Sequence, residues 1–522
     1  MKRIAIIIIL ATNLFCFSNL FAGEAKELRL YSPYKKKAFL LDNKRHSLSM
    51  DFPANTHNIR ETDAPKQDRI FYIQNYSQTA KEFTAFFSPE ISNLEVMSEK
   101  KSPKTALTQG NEKKHFKAAM QIFTLNAVTW AFNKYIMHEK WANISLKSIR
   151  TNLQCDFDWD FDTFRTNQFG HPYHGALHYS IARANGLNFL ESTLLSAFGS
   201  LSWEILLESI RPSSNDVIMN TLGGLTLGEL LFRITDLIID ESSVGFERVL
   251  RESAATILNA GNVFRIISGD AFKVGNPPEK HYFNFELPFG AFGTNTGKPT
   301  FLIAANLEYK DYLKKNRPTP KPYEWFSFNF MLGIQEYRVS DIEISATGIL
   351  FGKKIKNGLA GLFGVFDYID TQVSDRISAI GIGPGLVFAS DFDSNFYLSS
   401  SGDLFLILGG SSPSIDSPNS HFGMKINDPY YFGPGVLGRI KFEFGKRELG
   451  SIETGFSQYW VHSIYTSADE FLGGLTLNIN YDISKRSQIS LGYDYYLRNA
   501  SLKKQRFSKN KSAFRALYIL KF

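Results

Sequence analysis

The spacing of apolar residues changes once along this chain, from a helical repeat to a repeat of two, near Pro277-Pro278. Ahead of that point Phe116, Met120, Phe123, Ala127, Trp130 and Phe132 trace one stripe, which predicts a packed helix from about His115 to His138. Asp156, Asp158, Asp160 and Asp162 then alternate with Phe157, Trp159, Phe161 and Phe164. Neither the Gly nor the bidentate Glu of a calcium loop follows them, so an extended segment with docked rings is expected. Pro172 suits a first helical turn and Gly186 a stop, giving a second helix to Asn185. Leu187 to Glu208 forms a third, Arg211 to Asn215 a break, and Asp216 to about Asp240 a fourth. All are apolar enough to be buried and carry interior polar residues, so they are expected to pack in protein rather than against lipid.

Beyond the change, Phe326, Phe328, Phe330, Leu332 and Ile334 share one face of an extended segment, and Leu475, Leu477, Ile479, Tyr481 and Ile483 share another. The pattern predicts about twelve amphipathic strands, near 281-292, 300-310, 323-335, 340-353, 358-370, 376-390, 395-408, 430-445, 450-465, 470-483, 487-498 and 512-522. The last set, Phe514, Ala516, Tyr518, Leu520 and Phe522, resembles the terminal assembly signal of outer-membrane barrels. With that end in the periplasm, 409-429 and 499-511 become outer loops, and 311-322 is a long inner connection.

Composition agrees with export and with a mixed fold. Lys2 and Arg3 precede an apolar run from Ile4 to Phe21, and Leu20-Phe21-Ala22 offers a cleavage site, so residues 1-22 read as a signal peptide. Residues 23-112 form an irregular lead-in, 113-275 a helical module, and 281-522 an antiparallel transmembrane β-barrel. The 46 Phe and 23 Tyr favour half-apolar strands. Cys16 falls in the signal, which leaves Cys155 without a partner for an internal disulfide. The net charge of +7 is too diffuse to argue for nucleic acid. The expected partners are outer-membrane lipid and the barrel-assembly machinery, with the module plugging the lumen or capping it from the periplasm.

Candidate chemistry sits in the helical module. His174 and His178 are four apart on one helix, and Glu204 and Glu208 are four apart on the next. Those types and spacings suit a transition-metal site between facing helices, or equally a set of helix-to-helix hydrogen bonds. His171, His174, Glu204, Glu208 and Asp216 are the catalytic candidates. Gly223, Gly224 and Gly228 permit close helix contact, and Glu229 can pair with Arg233. No nucleophile elbow, HExxH, phosphate loop or paired-cysteine motif occurs, and no cofactor is called for.

The ordered set Asn167, His171-Pro172 with His174-Gly175, Ala182-Arg183 with Gly186, Ser202-Trp203-Glu204 with Glu208, Asp216, and Gly223-Gly224 with Gly228-Glu229 and Arg233 resembles a family of exported bacterial proteins catalogued as domain of unknown function 3943. The resemblance covers roughly 115-240 and implies a helical module in an envelope protein, with no activity attached. Two readings follow: a non-enzymatic barrel acting in passage, envelope structure or assembly, or an envelope lipid- or glycan-modifying or metal-binding protein using the His/Glu cluster.

Overall fold

The computed structural model describes residues 113-522 apart from 160-161, 279, 295-298, 315-317, 393-394, 414-429, 465-467 and 503-504. The expected signal peptide and lead-in lie outside the described residues. Among the described residues eight α-helices come first: α1 His115–Tyr135, α2 Leu146–Gln154, α3 His171–Ala184, α4 Phe189–Leu206, α5 Ser214–Gly223, α6 Glu229–Ile238, α7 Gly245–Leu258 and α8 Val263–Ser268. Side chains cap the starts of three of them. Ser145 and Ser148 form a capping box on α2, Asn188 and Glu191 another on α4, and Ser213 accepts from the Asp216 N–H on α5. The fourth helix expected from sequence is continuous from Ser214 to Ile238, with a π-helical turn at Gly224–Gly228 between α5 and α6. A Cβ at Gly223 would stand 2.3 Å from Pro172, and one at Gly228 2.7 Å from Tyr179, so this helix lies directly against α3.

Twelve strands follow: β1 Phe283–Thr294, β2 Thr300–Tyr309, β3 Phe326–Gln335, β4 Arg338–Ile355, β5 Gly358–Thr371, β6 Asp375–Asp391, β7 Phe396–Pro413, β8 Tyr430–Lys446, β9 Gly450–His462, β10 Ala468–Ser484, β11 Ser487–Leu502 and β12 Gln505–Lys521. Each pairs antiparallel with its neighbours, and β1 meets β12 through Glu286 with Lys521, closing the barrel. Phe522 extends that seam, its N–H donating to the Phe285 carbonyl at 2.9 Å. The outer loop expected at 499-511 is almost wholly strand, because β11 and β12 stay paired from Leu497 with Asn510 to Ser501 with Arg506.

Strand alternation separates two faces, and contacts across the barrel show which one is the lumen. Arg439 on β8 donates to Thr347 on β4 at 2.6 Å and lies 3.5 Å from Asp367 on β5. The Tyr459 hydroxyl on β9 donates to the same Asp367 at 2.9 Å. Strands three and four apart along the wall meet only through the interior. The barrel's own side chains cross the lumen: Phe363, Val365, Phe405, Ile407, Leu437 and Tyr459 form one buried cluster there.

The helices pack on the other face. Asp367 points in, so its neighbours Phe366 and Tyr368 point out, and these join Phe328, Ile344, Ala346 and Ile380 in a cluster with Ala176, Met219, Leu227, Leu230 and Ile234 of the helices. Near the β2-β3 connection Tyr323 donates to the Thr226 carbonyl at 2.6 Å, and Arg233 to the Pro322 carbonyl at 2.7 Å. At the opposite rim Asn167 donates to the Tyr430 hydroxyl at 2.6 Å, and Trp159 stacks edge-on to Phe432. These contacts do not show the helical plug expected from sequence. Inward positions are already occupied, and the bundle is received by the outward apolar positions of β2 to β6.

The long inner connection has its own anchor, Asp311. It accepts from the Tyr309 hydroxyl at 2.6 Å and the Tyr282 N–H at 3.0 Å, and pairs with His281 at 2.8 Å. Burial pushes its carboxyl up, but these partners outweigh that and hold it well below the usual carboxylate range. A depressed folded-state value stabilises above the ordinary carboxylate pKa, about 4, and that stability is lost as pH falls. Refolded in detergent, the protein should therefore lose urea resistance on acidification below about pH 4 more steeply than its Asp311→Asn variant. Parallel titrations of the two would count against this anchor.

Arg439→Met leaves Asp367 buried without its cation and should cost about 3 kcal/mol in urea unfolding. Adding Asp367→Asn should recover part of that loss. A double variant as unstable as the sum of the singles would show that the pair does not couple.

Candidate functional site

The polar candidates lie inside the helical bundle in three connected groups. A π-helical turn, Thr166–Gly170, leads into α3 and delivers His171 with Pro172 in the first turn. His171 Nε2 lies 3.4 Å from Asp216, whose N–H is capped by Ser213 and whose carboxylate accepts from Asn215 at 2.9 Å. Asn220 donates to Ser200 at 2.9 Å and stands 3.5 Å from His171 Nδ1. Glu204, fully buried, accepts from the Ser213 N–H at 2.8 Å, so this carboxylate holds the turn that starts α5.

The second group is aromatic. His174 and His178 are one helical turn apart with ring centroids at 4.5 Å, and His174 meets Trp203 edge-on at 5.4 Å. His178 Nε2 contacts the Asn126 side-chain oxygen at 2.8 Å, while the Asn126 amide donates to the Gly199 carbonyl and Ser202. Gly199 is required by that ring, since a Cβ there would lie 2.5 Å from His178 Nδ1. Glu208 accepts from the Trp203 indole at 2.8 Å. The four suggested metal ligands thus divide: the two histidines adjoin, Glu204 serves Ser213, and Glu208 serves Trp203. Among the described residues no group of three or more His, Cys, Asp or Glu is placed to hold a metal ion.

The third group is ionic. Glu229, 1% exposed, accepts from Arg183 at 2.7 Å, from Arg233 at 3.0 Å and from the Tyr179 hydroxyl at 2.8 Å. The Glu229-Arg233 pair was legible from its spacing, and Arg183 stood in the quoted family pattern. Asn126, Gly199 and Tyr179 were missed. Asn126 carried the one available signal, an amide amid the apolar residues of α1. As for the aspartate run, Trp159 docks on Phe432 and Phe164 on Tyr368, while Asp160 and Phe161 lie outside the described residues.

Residues 156–260 match the family model described as Domain of unknown function (DUF3943). The match runs from the docked aromatic segment through α7, so it takes in all three groups except Asn126, which α1 supplies from outside it. No curated protein matches the chain. Solved structures similar to it include the NanC porin, with 8% identity, 45% of this chain and 98% of that one covered, and a TM-score of 0.26. They also include OmpT of Vibrio cholerae (5%, 46% and 97%, 0.21) and the outer-membrane channel DcaP of Acinetobacter baumannii (8%, 46% and 96%, 0.23). The closed barrel is defined by its own strand register.

Two substitutions separate the ionic group from the capping carboxylate. Glu229→Gln leaves two partly buried guanidinium groups without their buried anion and should cost about 3 kcal/mol in urea unfolding. Glu204→Gln keeps an oxygen for the Ser213 N–H and should cost about 1 kcal/mol. Equal losses would contradict this division of roles.

Proposed function

We propose that this protein is an outer-membrane β-barrel that conducts nothing by itself and serves as the wall on which the helical module is mounted, in a structural or assembly role in the envelope. The single observation that carries this reading is the use of both barrel faces. The buried cluster around Phe363, Phe405 and Tyr459 and the Arg439-Asp367 pair cross the lumen, which argues against passage. Outward positions away from the helices are apolar and open, with Leu477 42% and Tyr481 58% exposed, and hydrocarbon is the medium that suits them. On this reading the polar groups of the bundle hold its helices together. The protein then has a non-enzymatic role, in which Glu204 holds the Ser213 N–H, Glu208 the Trp203 indole and Asp216 the Asn215 amide, while His174 packs between the rings of His178 and Trp203.

Electrical recording tests the passage half of the reading. Full-length protein in planar bilayers should give no sustained channel steps, whereas Phe363→Ala with Phe405→Ala, which empties part of the lumen, should give measurable ones. Large steady conductance from the unaltered protein would refute the proposal and restore a channel function.

A further inference from the structure

Two helices of the bundle, α4 and α1, turn large apolar side chains outward. On α4 the buried positions are Ser192, Ser196, Gly199, Ser200, Ser202, Trp203 and Glu204, while Leu190, Leu194 and Phe198 are exposed at 41%, 69% and 49%. On α1 the buried positions are Ala118, Ile122 and Asn126, while Phe116, Met120, Phe123 and Val128 lie outside. The stripe on α1 that reads from sequence as a core face is thus largely its outer face. A helix in water places its polar side outward, and the reverse order suits helices whose surroundings are less polar than their contacts.

The bundle also has the right height and flank. Ser214–Ile238 is long and apolar enough to cross a membrane. It runs along the barrel wall, with Met219 against Gly409 on β7 towards one rim and Arg233 bonded to Pro322 at the other. Packed against α3 and α4, residues 118-133 of α1 contain no Asp, Glu, Lys or Arg, with Lys113, Lys114 and Lys117 before them and Lys134 after. At 1.5 Å per residue that uncharged stretch is about 24 Å long, close to the apolar band of an outer-membrane barrel, about 25 Å. Next to the bundle the bare wall continues the apolar surface, with Phe301 46% and Ile303 44% exposed on β2.

We infer that the helical bundle is embedded in the membrane alongside the barrel, with lipid acyl chains covering the outer faces of α1 and α4. This rests on the reading of the barrel as a membrane protein. Lipid is the occupant because the barrel's bare outward positions need it at the same level, and because α1 carries no charge between its end lysines. The buried polar groups then act as the glue of a bundle whose outside is solvated by hydrocarbon.

Quenching of a fluorescent cysteine label tests the inference on the full chain, with Cys16 and Cys155 replaced by Ser. Single labels are placed by Phe198→Cys on α4, Phe123→Cys on α1, Leu477→Cys on the bare wall and Lys485→Cys in a strand turn. The protein is reconstituted in vesicles of brominated phosphatidylcholine or exposed to aqueous iodide. Labels at 198 and 123 should lose emission to brominated lipid as fully as the label at 477, and resist iodide, which quenches the label at 485. If 477 is quenched by lipid while 198 and 123 are quenched by iodide, the bundle lies in water and the inference is wrong. Protection of 198 and 123 from both quenchers would mean cover by protein, either a second copy or residues 23-112, and would overturn it equally. A label at 477 that lipid does not reach would sink the membrane reading itself, a failure distinct from the other two.

Discussion

A strand in a closed barrel has two faces and no others, and in this protein both are spoken for. Asp367 fixes the arrangement. Its side chain turns inward to Arg439 and Tyr459, which obliges Phe366 and Tyr368 on either side of it to turn outward, where Phe164, Phe169 and the helices meet them. One alternation along β5 therefore couples the sealing of the lumen to the docking of the bundle. A shift of one residue would place a carboxylate against the helices and aromatic rings in the lumen, so register on this side of the barrel is under constraint from both directions.

The strands were legible because a repeat of two is unmistakable over ten or more residues, and the twelve expected segments correspond one for one to those formed. Helix starts were legible where Pro172 or a break such as Arg211 to Asn215 marked them. The face each element turns to its neighbours was not legible. Leu332 and Ile479 look alike in sequence, yet one packs beneath helices and the other is bare, because the difference lies in another part of the chain. The α1 stripe misled for a related reason. Periodicity reports that two sides differ but not which side is inside, and the assumption that the apolar side is inside holds only in water. The two π turns left no trace in the hydrophobic pattern.

Within the bundle the ionic group has a second task. Arg233 donates to the Pro322 carbonyl while its Nε holds Glu229, and Glu229 also holds Arg183 and Tyr179 of α3. The helix nearest the wall, α3 and the β2-β3 connection are thus joined through one carboxylate. A hydrophobic contact fixes only that two surfaces touch, whereas this set fixes the rotation of α6 about its axis, since a turn of one residue would part Glu229 from Arg183 and Tyr179 and Arg233 from the Pro322 carbonyl. Small residues complete the fit: Gly175 against the Asn220 carbonyl and Gly223 against Pro172 bring backbones close enough for side chains as short as Ser196 to bridge them.

That closeness explains why polar residues are concentrated where the family model matches. Between two apolar surfaces in hydrocarbon, burial of further apolar area gains little, because lipid contacts are as good as protein contacts. Helix association must then draw on packing of small residues and on hydrogen bonds, and the match from 156 to 260 is rich in both. The barrel wall imposes the opposite need. Its outward aromatic rings on β3 to β5 would be satisfied equally by lipid, so they cannot by themselves select the bundle as their neighbour. Selection falls to the few directional ties at the two rims, Asn167 to Tyr430 at one and Thr226 to Tyr323 with Arg233 to Pro322 at the other. Fixed at both rims, the bundle has one position along the wall, and the apolar contacts between the rims follow from it.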